Sequence, residues 1–290
     1  MKLLIFVTLF TIFSSGLASA AIVAGTYFDR IVAVIFENQD YSKAIKSTYL
    51  TSLYNSPEGV LLTNYDAVGH PSEPNYVAMI YGSTAGITDD GDYNITGQNL
   101  IDLLEARSIT WKAYMENYTC GVCFTGDFCP AGTDLYARKH NPFISMEDIN
   151  TNPTRCAKIV DSSQLDIDIS NNQVPQYVMY VPNQQDDGHD TSLSTAMTWF
   201  QGWFDARKNN PNFNTNTLFF FVWDEAVTSK TNQVAAVLYG TPVKPPSNNQ
   251  DSTAYTHYSF LAGVEKNWNL GNLGRNDATA TPFTKYLVHP

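Results

Sequence analysis

The sequence predicts an α/β fold of three layers, with helices covering both faces of a central, mostly parallel sheet. Three observations predict it. Four short runs are continuously apolar: RIVAVIF (30–36), QYVMYV (176–181), TLFFFVW (217–223) and VAAVLY (234–239). Strands buried on both faces read this way, whereas a half-exposed strand alternates. Stretches with helical character lie between them, including PNYVAMIYG (74–82), GQNLIDLLEAR (97–107) and LSTAMTWFQGWFDARK (193–208). Three of the runs lead directly into polar, acid-bearing loops. Strands alternating with helices call for a layered α/β arrangement, and in open sheets of that kind ligands bind beyond the carboxyl ends of the strands.

The chain has 290 residues and opens on MKLLIFVTLFTIFSSGLASA, with Lys2, an apolar run from Leu3 to Phe13 and an Ala18-Ser19-Ala20 ending. This pattern reads as a secretory signal over residues 1–20, since the run is too short for a bilayer core of about 30 Å. Residues 21–290 are then expected to form a single catalytic domain in a secreted or lumenal protein. Removing the signal takes Lys2 and no acid, so the net charge moves from −11 to −12. Such a balance argues against nucleic acid or an anionic membrane surface as the partner.

The first run ends in Glu37-Asn38. The next informative stretch is GHPSEPNYVAMIYG (69–82), where Ser72 follows His70 and precedes a helix. Ser72 reads equally as a helix cap and as a nucleophile on these residues alone. Ser83 and Thr84, at the far end of that helix, lack its positive dipole end. Asn94-Ile95-Thr96 and Asn117-Tyr118-Thr119 are glycosylation acceptor sequences at Asn94 and Asn117. Cys120, Cys123, Cys129 and Cys156 have an irregular spacing, C-x2-C-x5-C-x26-C. In an oxidising compartment this favours two disulfides over a zinc knuckle, with three pairings open. The second strand run leads into PNQQDDGHD (182–190), which holds Asp187 and His189; the third leads into Asp224-Glu225. Trp199 and Trp203 read as core, and His289 as exposed.

Glu37, Asn38, Asp187, His189, Asp224, Glu225 and His257 are the donor types that hard and borderline divalent cations take. Such a cation beside Ser72 would lower the pKa of its hydroxyl and offset the charge of a phosphoryl group. A helix start adds backbone N–H donors for the same anion.

Six blocks, VIFENQDY (34–41), GHPSEPNYVAMIYG (69–82), RKHNPFISMEDI (138–149), DDGHD (186–190), FVWDEA (221–226) and YTHYSFLAGVEKNWNL (255–270), occur in the order of a known family. Together they resemble the phosphoesterase family of secreted acid phosphatases and bacterial phospholipases C, related to the alkaline phosphatase superfamily. The resemblance implies an alkaline phosphatase-like fold and a divalent metal held by Glu37, Asn38, Asp224 and Glu225. It implies a hydroxyl nucleophile at Ser72, two positions before a proline. It also implies that His70, His140, His189 and His257 contact phosphate, protonate the leaving oxygen or bind a second metal. The wider superfamily has an Asp four positions before the His of its second metal site; here that position is Gln185, and Asp187 would have to serve from another offset. The reading is a secreted, metal-dependent phosphomonoesterase of acid phosphatase type, acting on small phosphate esters through a phosphoserine. A phospholipase C or phosphodiesterase on the same scaffold, and a non-catalytic secreted glycoprotein, are the alternatives.

Overall fold

In the computed structural model, residues 21–227 and 231–290 are described; the segment expected to be a signal peptide lies outside them. The strands are, in chain order, β1 Arg30–Phe36, β2 Gly59–Leu62, β3 Tyr65–Asp66, β4 Trp111–Met115, β5 Phe128–Cys129, β6 Tyr136–Ala137, β7 Ile159–Asp161, β8 Tyr177–Val181, β9 Thr217–Trp223, β10 Ala236–Tyr239, β11 Gln250–Asp251 and β12 Tyr255–Thr256. Eight of them form the main sheet, in the order β11-β2-β10-β9-β1-β8-β4-β7. All its ladders are parallel except the two that β10 makes with β2 and β9. The minor pairs are β3 with β12 and β5 with β6.

The alternation of β9 fixes the three layers. Successive side chains of a strand point to opposite faces. Phe219 and Phe221 meet Phe204 and Phe200 of the helix Leu193–Asp205. Phe220, between them, meets Phe260 of the helix His257–Trp268 and Phe283. The two helices therefore cover opposite faces, and β1 and β9 are buried along their whole length. Trp199 stacks on Trp203 and Trp203 packs on Tyr180, as the core reading expects.

Register brings the acid-bearing loops together. Phe36 pairs with Trp223, so β1 and β9 end side by side and Glu37 and Asp224 follow at the same level. The Asp224 N–H donates to the Phe36 carbonyl at 2.9 Å. β8 flanks β1 on the other side, and its loop folds back until the Glu37 N–H donates to the Asp187 carbonyl at 3.1 Å.

Candidate active site

Glu37, Asp187, Asp224 and Glu225 gather at this edge, all buried. The chain leaves β1 through Asn38, in the left-handed region at φ 51°, a conformation that Asn tolerates better than most residues. That turn aims the Asn38 N–H at Asp224 Oδ1, 3.1 Å away. Asp187 Oδ1 accepts from the His189 N–H at 2.7 Å. Gly188 between them has φ 100°, and a Cβ there would sit 3.3 Å from the Glu37 carbonyl oxygen, so the loop needs glycine for both reasons.

Ser72 opens the helix Ser72–Tyr81. The turn before it is clamped by Asn75, whose Oδ1 accepts from the N–H groups of Val68 and Gly69 while its Nδ2 donates to the carbonyls of Gly69 and Pro71. The N-cap position belongs to Pro71 and has no side-chain cap bond. Ser72 instead directs its hydroxyl outward from the helix, with Oγ 3.0 Å from Glu37 Oε2 and 3.2 Å from Glu225 Oε1. Tyr76, one turn on and therefore on the same helix face, donates to Glu37 Oε1 at 2.5 Å. His70 is half-exposed and hydrogen-bonds Glu225 Oε2.

On the other side of Glu37 lie two imidazoles. His140 Nε2 is 3.2 Å from Glu37 Oε1, and its Nδ1 is 3.7 Å from Asp187 Oδ2. One ligand atom each of Glu37, His140 and His189 lie within 4.8 Å of one another. Lys139 Nζ bridges His189 Nε2 at 3.1 Å and Asp90 Oδ2 at 3.2 Å.

Burial pushes the carboxyls of Glu37, Asp187 and Asp224 well above the usual carboxylate range, and neighbouring negative charge adds to it: Asp187 on Glu37, Glu37 and Glu225 on Asp224, and Asp224 on Asp187. Burial also raises Glu225, against the opposing effect of His70. The same burial, with Lys139 and His189 nearby, drives His140 well below its usual value and keeps it neutral. Asp187 Oδ2, Asp224 Oδ2 and His140 Nε2 are buried without a hydrogen-bond partner. Clustered acids with orphaned oxygens and a neutral imidazole fit a divalent cation, which would satisfy those atoms and reverse the local field.

The residues singled out in the sequence are not all placed alike. Ser72, Glu37, Asp187, Asp224, Glu225, His70, His140 and His189 come together. Asn38 contributes its backbone. His257 lies behind the cluster, buried, donating from Nε2 to the Asp224 carbonyl at 2.6 Å and accepting at Nδ1 from the Tyr65 hydroxyl at 3.2 Å. With both nitrogens engaged it holds the end of β9 rather than offering a free donor, and burial lowers its pKa to about 4. Tyr76 and Lys139 were not singled out, although the i, i+4 spacing from Ser72 and the position next to His140 were signals for them. The disulfides are Cys120–Cys129 and Cys123–Cys156. Asn94 is exposed, whereas Asn117 is half-buried and accepts at Oδ1 from Asn183.

A hydroxyl at a helix start facing carboxylates beyond the carboxyl ends of a parallel sheet, in three layers, places the molecule among alkaline phosphatase-like α/β proteins. Its fold is similar to that of a protein in the alkaline phosphatase superfamily from Vibrio parahaemolyticus, with a TM-score of 0.58 at 12% identity over 89% of this chain and 71% of that one. It is similar also to the phosphonate monoester hydrolase of Agrobacterium radiobacter, with a TM-score of 0.54 at 11% identity over 89% and 77% of the two chains. Residues 46–271 match the Phosphoesterase family, and the chain belongs to that family. It is 35% identical over 272 residues to an acid phosphatase of Aspergillus fumigatus, covering 89% of this chain and 59% of the relative. It is 36% identical over 266 residues to a probable acid phosphatase of Kluyveromyces lactis, covering 89% and 62%. The chain thus spans about three fifths of the length of these fungal relatives. A phosphatidylinositol-3-phosphatase of Mycobacterium tuberculosis is 29% identical over 265 residues, covering 89% of this chain and 82% of the relative.

Proposed function

We propose that the protein is a metal-dependent phosphomonoesterase of acid phosphatase type that works through a phosphoserine at Ser72. The observation that carries this reading is the Ser72 hydroxyl, taken away from any capping role and held between Glu37 and Glu225 at the start of a helix. A divalent cation held by Glu37, Asp224 and Glu225, with His140, His189 and Asp187 available on the far side of Glu37, would lower the pKa of that hydroxyl and offset phosphoryl charge. Glu37 and Glu225 orient Oγ and accept its proton. Lys139 supplies positive charge and N–H donors for the phosphoryl oxygens, held in place by His189 and Asp90. Tyr76 and His257 keep Glu37 and Asp224 in place. As the Oγ–phosphorus bond forms, the ester P–O bond breaks and the departing alkoxide takes a proton from His70, which stands half-exposed at the mouth of the site. Water then releases phosphate and restores the Ser72 hydroxyl.

The two disulfides fit an oxidising compartment, which supports export of the protein. Among the described residues, no helix is long and apolar enough to cross a membrane. The similarity to named phosphatases supports small phosphate monoesters as substrates.

Ser72→Ala tests the reading. Turnover should fall by about three orders of magnitude or more while inorganic phosphate still binds. Wild-type enzyme quenched in acid during turnover should carry phosphoryl on the peptide containing Ser72. A near-normal rate in the variant, or label on another hydroxyl, would return Ser72 to a structural role. Faster turnover of a phosphodiester or of phosphatidylcholine vesicles than of monoesters would overturn the monoesterase assignment.

A further inference from the structure

A cleft of about 360 Å³ adjoins the candidate site, sharing Lys139 with it. Its walls come from two segments. One is the turn Asp90-Gly91-Asp92, pinned to the helix that carries Ser72: the Glu73 N–H donates to Asp90 Oδ1 at 3.0 Å, and the Gly91 N–H donates to Glu73 Oε2 at 2.9 Å. The other is the segment Asp127-Phe128, where β5 pairs with β6 and Cys129 is tied to Cys120. Lys139 belongs to both places, lining the cleft and contacting His189. The cleft therefore opens beside groups that would hold a phosphoryl group at Ser72, and a cleft of that volume holds one aromatic ring.

Two features give the cleft a preference. Phe128 is 48% exposed, one of few large apolar side chains in that state among the described residues. Its ring is available for stacking, which aromatic pairs favour in offset or edge-on geometry. The charge is also uneven. Arg138 is buried, pairs with Asp92 and donates to the carbonyls of Thr125 and Tyr93, so its charge is matched within the cleft wall. Lys139 is matched by Asp90. Asp127, which is exposed and has no basic partner among the residues of the rim, gives the lining three acids against two bases.

Resting on the phosphomonoesterase reading, we propose that this cleft is the leaving-group subsite, and that it selects monoesters of neutral or cationic aromatic alcohols over polyols bearing a further phosphate. Phe128 stacks on the ring of the alcohol, and Asp127 attracts a cationic substituent and repels a second phosphate.

The test compares kcat/KM for phenyl phosphate, tyramine O-phosphate, glycerol 2-phosphate and an inositol bisphosphate. Phenol and tyramine are leaving groups of similar basicity, so their ratio reports on the subsite. The wild type should prefer tyramine O-phosphate to phenyl phosphate by about threefold. Phe128→Ala should lower kcat/KM for both aryl esters about five- to tenfold and leave glycerol 2-phosphate within about twofold, and Phe128→Tyr should restore the aryl preference. Asp127→Lys should erase the tyramine preference and raise the rate on the bisphosphate about threefold or more. If Phe128→Ala slows all four substrates equally or none, or if Asp127→Lys leaves the ratios unchanged, the subsite assignment is overturned. If the wild type hydrolyses none of the four, it is the phosphomonoesterase reading that fails.

Discussion

The two ends of β1 each bury charge, and they do so in opposite ways. At the amino end, Arg30 places its guanidinium among neutral acceptors: the carbonyls of Val174, Pro175, Asn212 and Phe213 and the hydroxyl of Thr217. Burial lowers its pKa to about 10, yet its donors have partners. At the carboxyl end, Glu37 stands among three further carboxylates, with orphaned atoms on Asp187, Asp224 and His140. A buried charge that is fully hydrogen-bonded is architecture; one surrounded by like charge with polar atoms unpartnered is a place for a ligand. The strand carries both because its middle is wholly apolar and separates them.

The largest effect that would break this contrast is at the carboxyl end. Asp224→Asn and Glu37→Gln should each reduce turnover by about a thousandfold and lower bound divalent metal, since an amide oxygen binds such ions more weakly than a carboxylate. Melting temperature should hold or rise as repulsion is relieved. Wild-type metal content and turnover in both variants would remove the metal site.

Arg30→Met should do the reverse. Several carbonyls and one hydroxyl lose their donor, so denaturant unfolding should show a loss of about 3 to 5 kcal/mol. Activity per folded molecule should be unchanged. A catalytic defect without a stability loss would mean that the two ends of the strand are not independent.

A third region is held covalently. Converting Cys123 and Cys156 together to alanine should cost about 2 to 4 kcal/mol. Because Cys156 lies remote from the carboxylates in sequence and contacts, metal content should be retained; its loss would tie the loop to the metal site.

The smallest effect concerns Glu265 and Asp277, both buried, where Glu265 Oε1 is also without a partner. Here the acids neighbour only each other, and a retained proton takes the place of a cation. Burial, with the Asp277 charge added, pushes Glu265 up to about 9 from the ordinary carboxylate value of 4.5. The folded state therefore holds a proton that the unfolded state has released across this window, so stability falls as pH rises through it. Glu265→Gln should flatten that fall in a melting-temperature series from pH 5 to pH 9, windows set by those two values. An unchanged pH profile would show that the pair does not share a proton.

Much of the sheet was legible because its central strands are buried on both faces. The runs at 30–36 and 217–223 match β1 and β9 residue for residue, and those at 176–181 and 234–239 contain β8 and β10. The outer strands were not legible: β2, β7 and β11 have four, three and two residues, and β4 is interrupted by the half-buried Lys112. The reversed direction of β10 leaves no mark in a run of apolar residues. At the site, acids directly after strands could be read because register carries them to one edge. Asp90 could not, since its part depends on how its loop folds onto Glu73 and Lys139. His257 illustrates the converse, a histidine whose chemistry drew attention but whose two nitrogens are both taken up by Tyr65 and Asp224.

The left-handed turn at Asn38 gives that position two separable requirements. Its backbone must adopt φ 51° so that its N–H reaches Asp224, while its amide oxygen is the group that the family resemblance assigns to the metal. Glycine satisfies the first requirement and not the second; alanine satisfies neither. Any difference between Asn38→Gly and Asn38→Ala thus measures the path of the chain, and whatever the two share measures the amide.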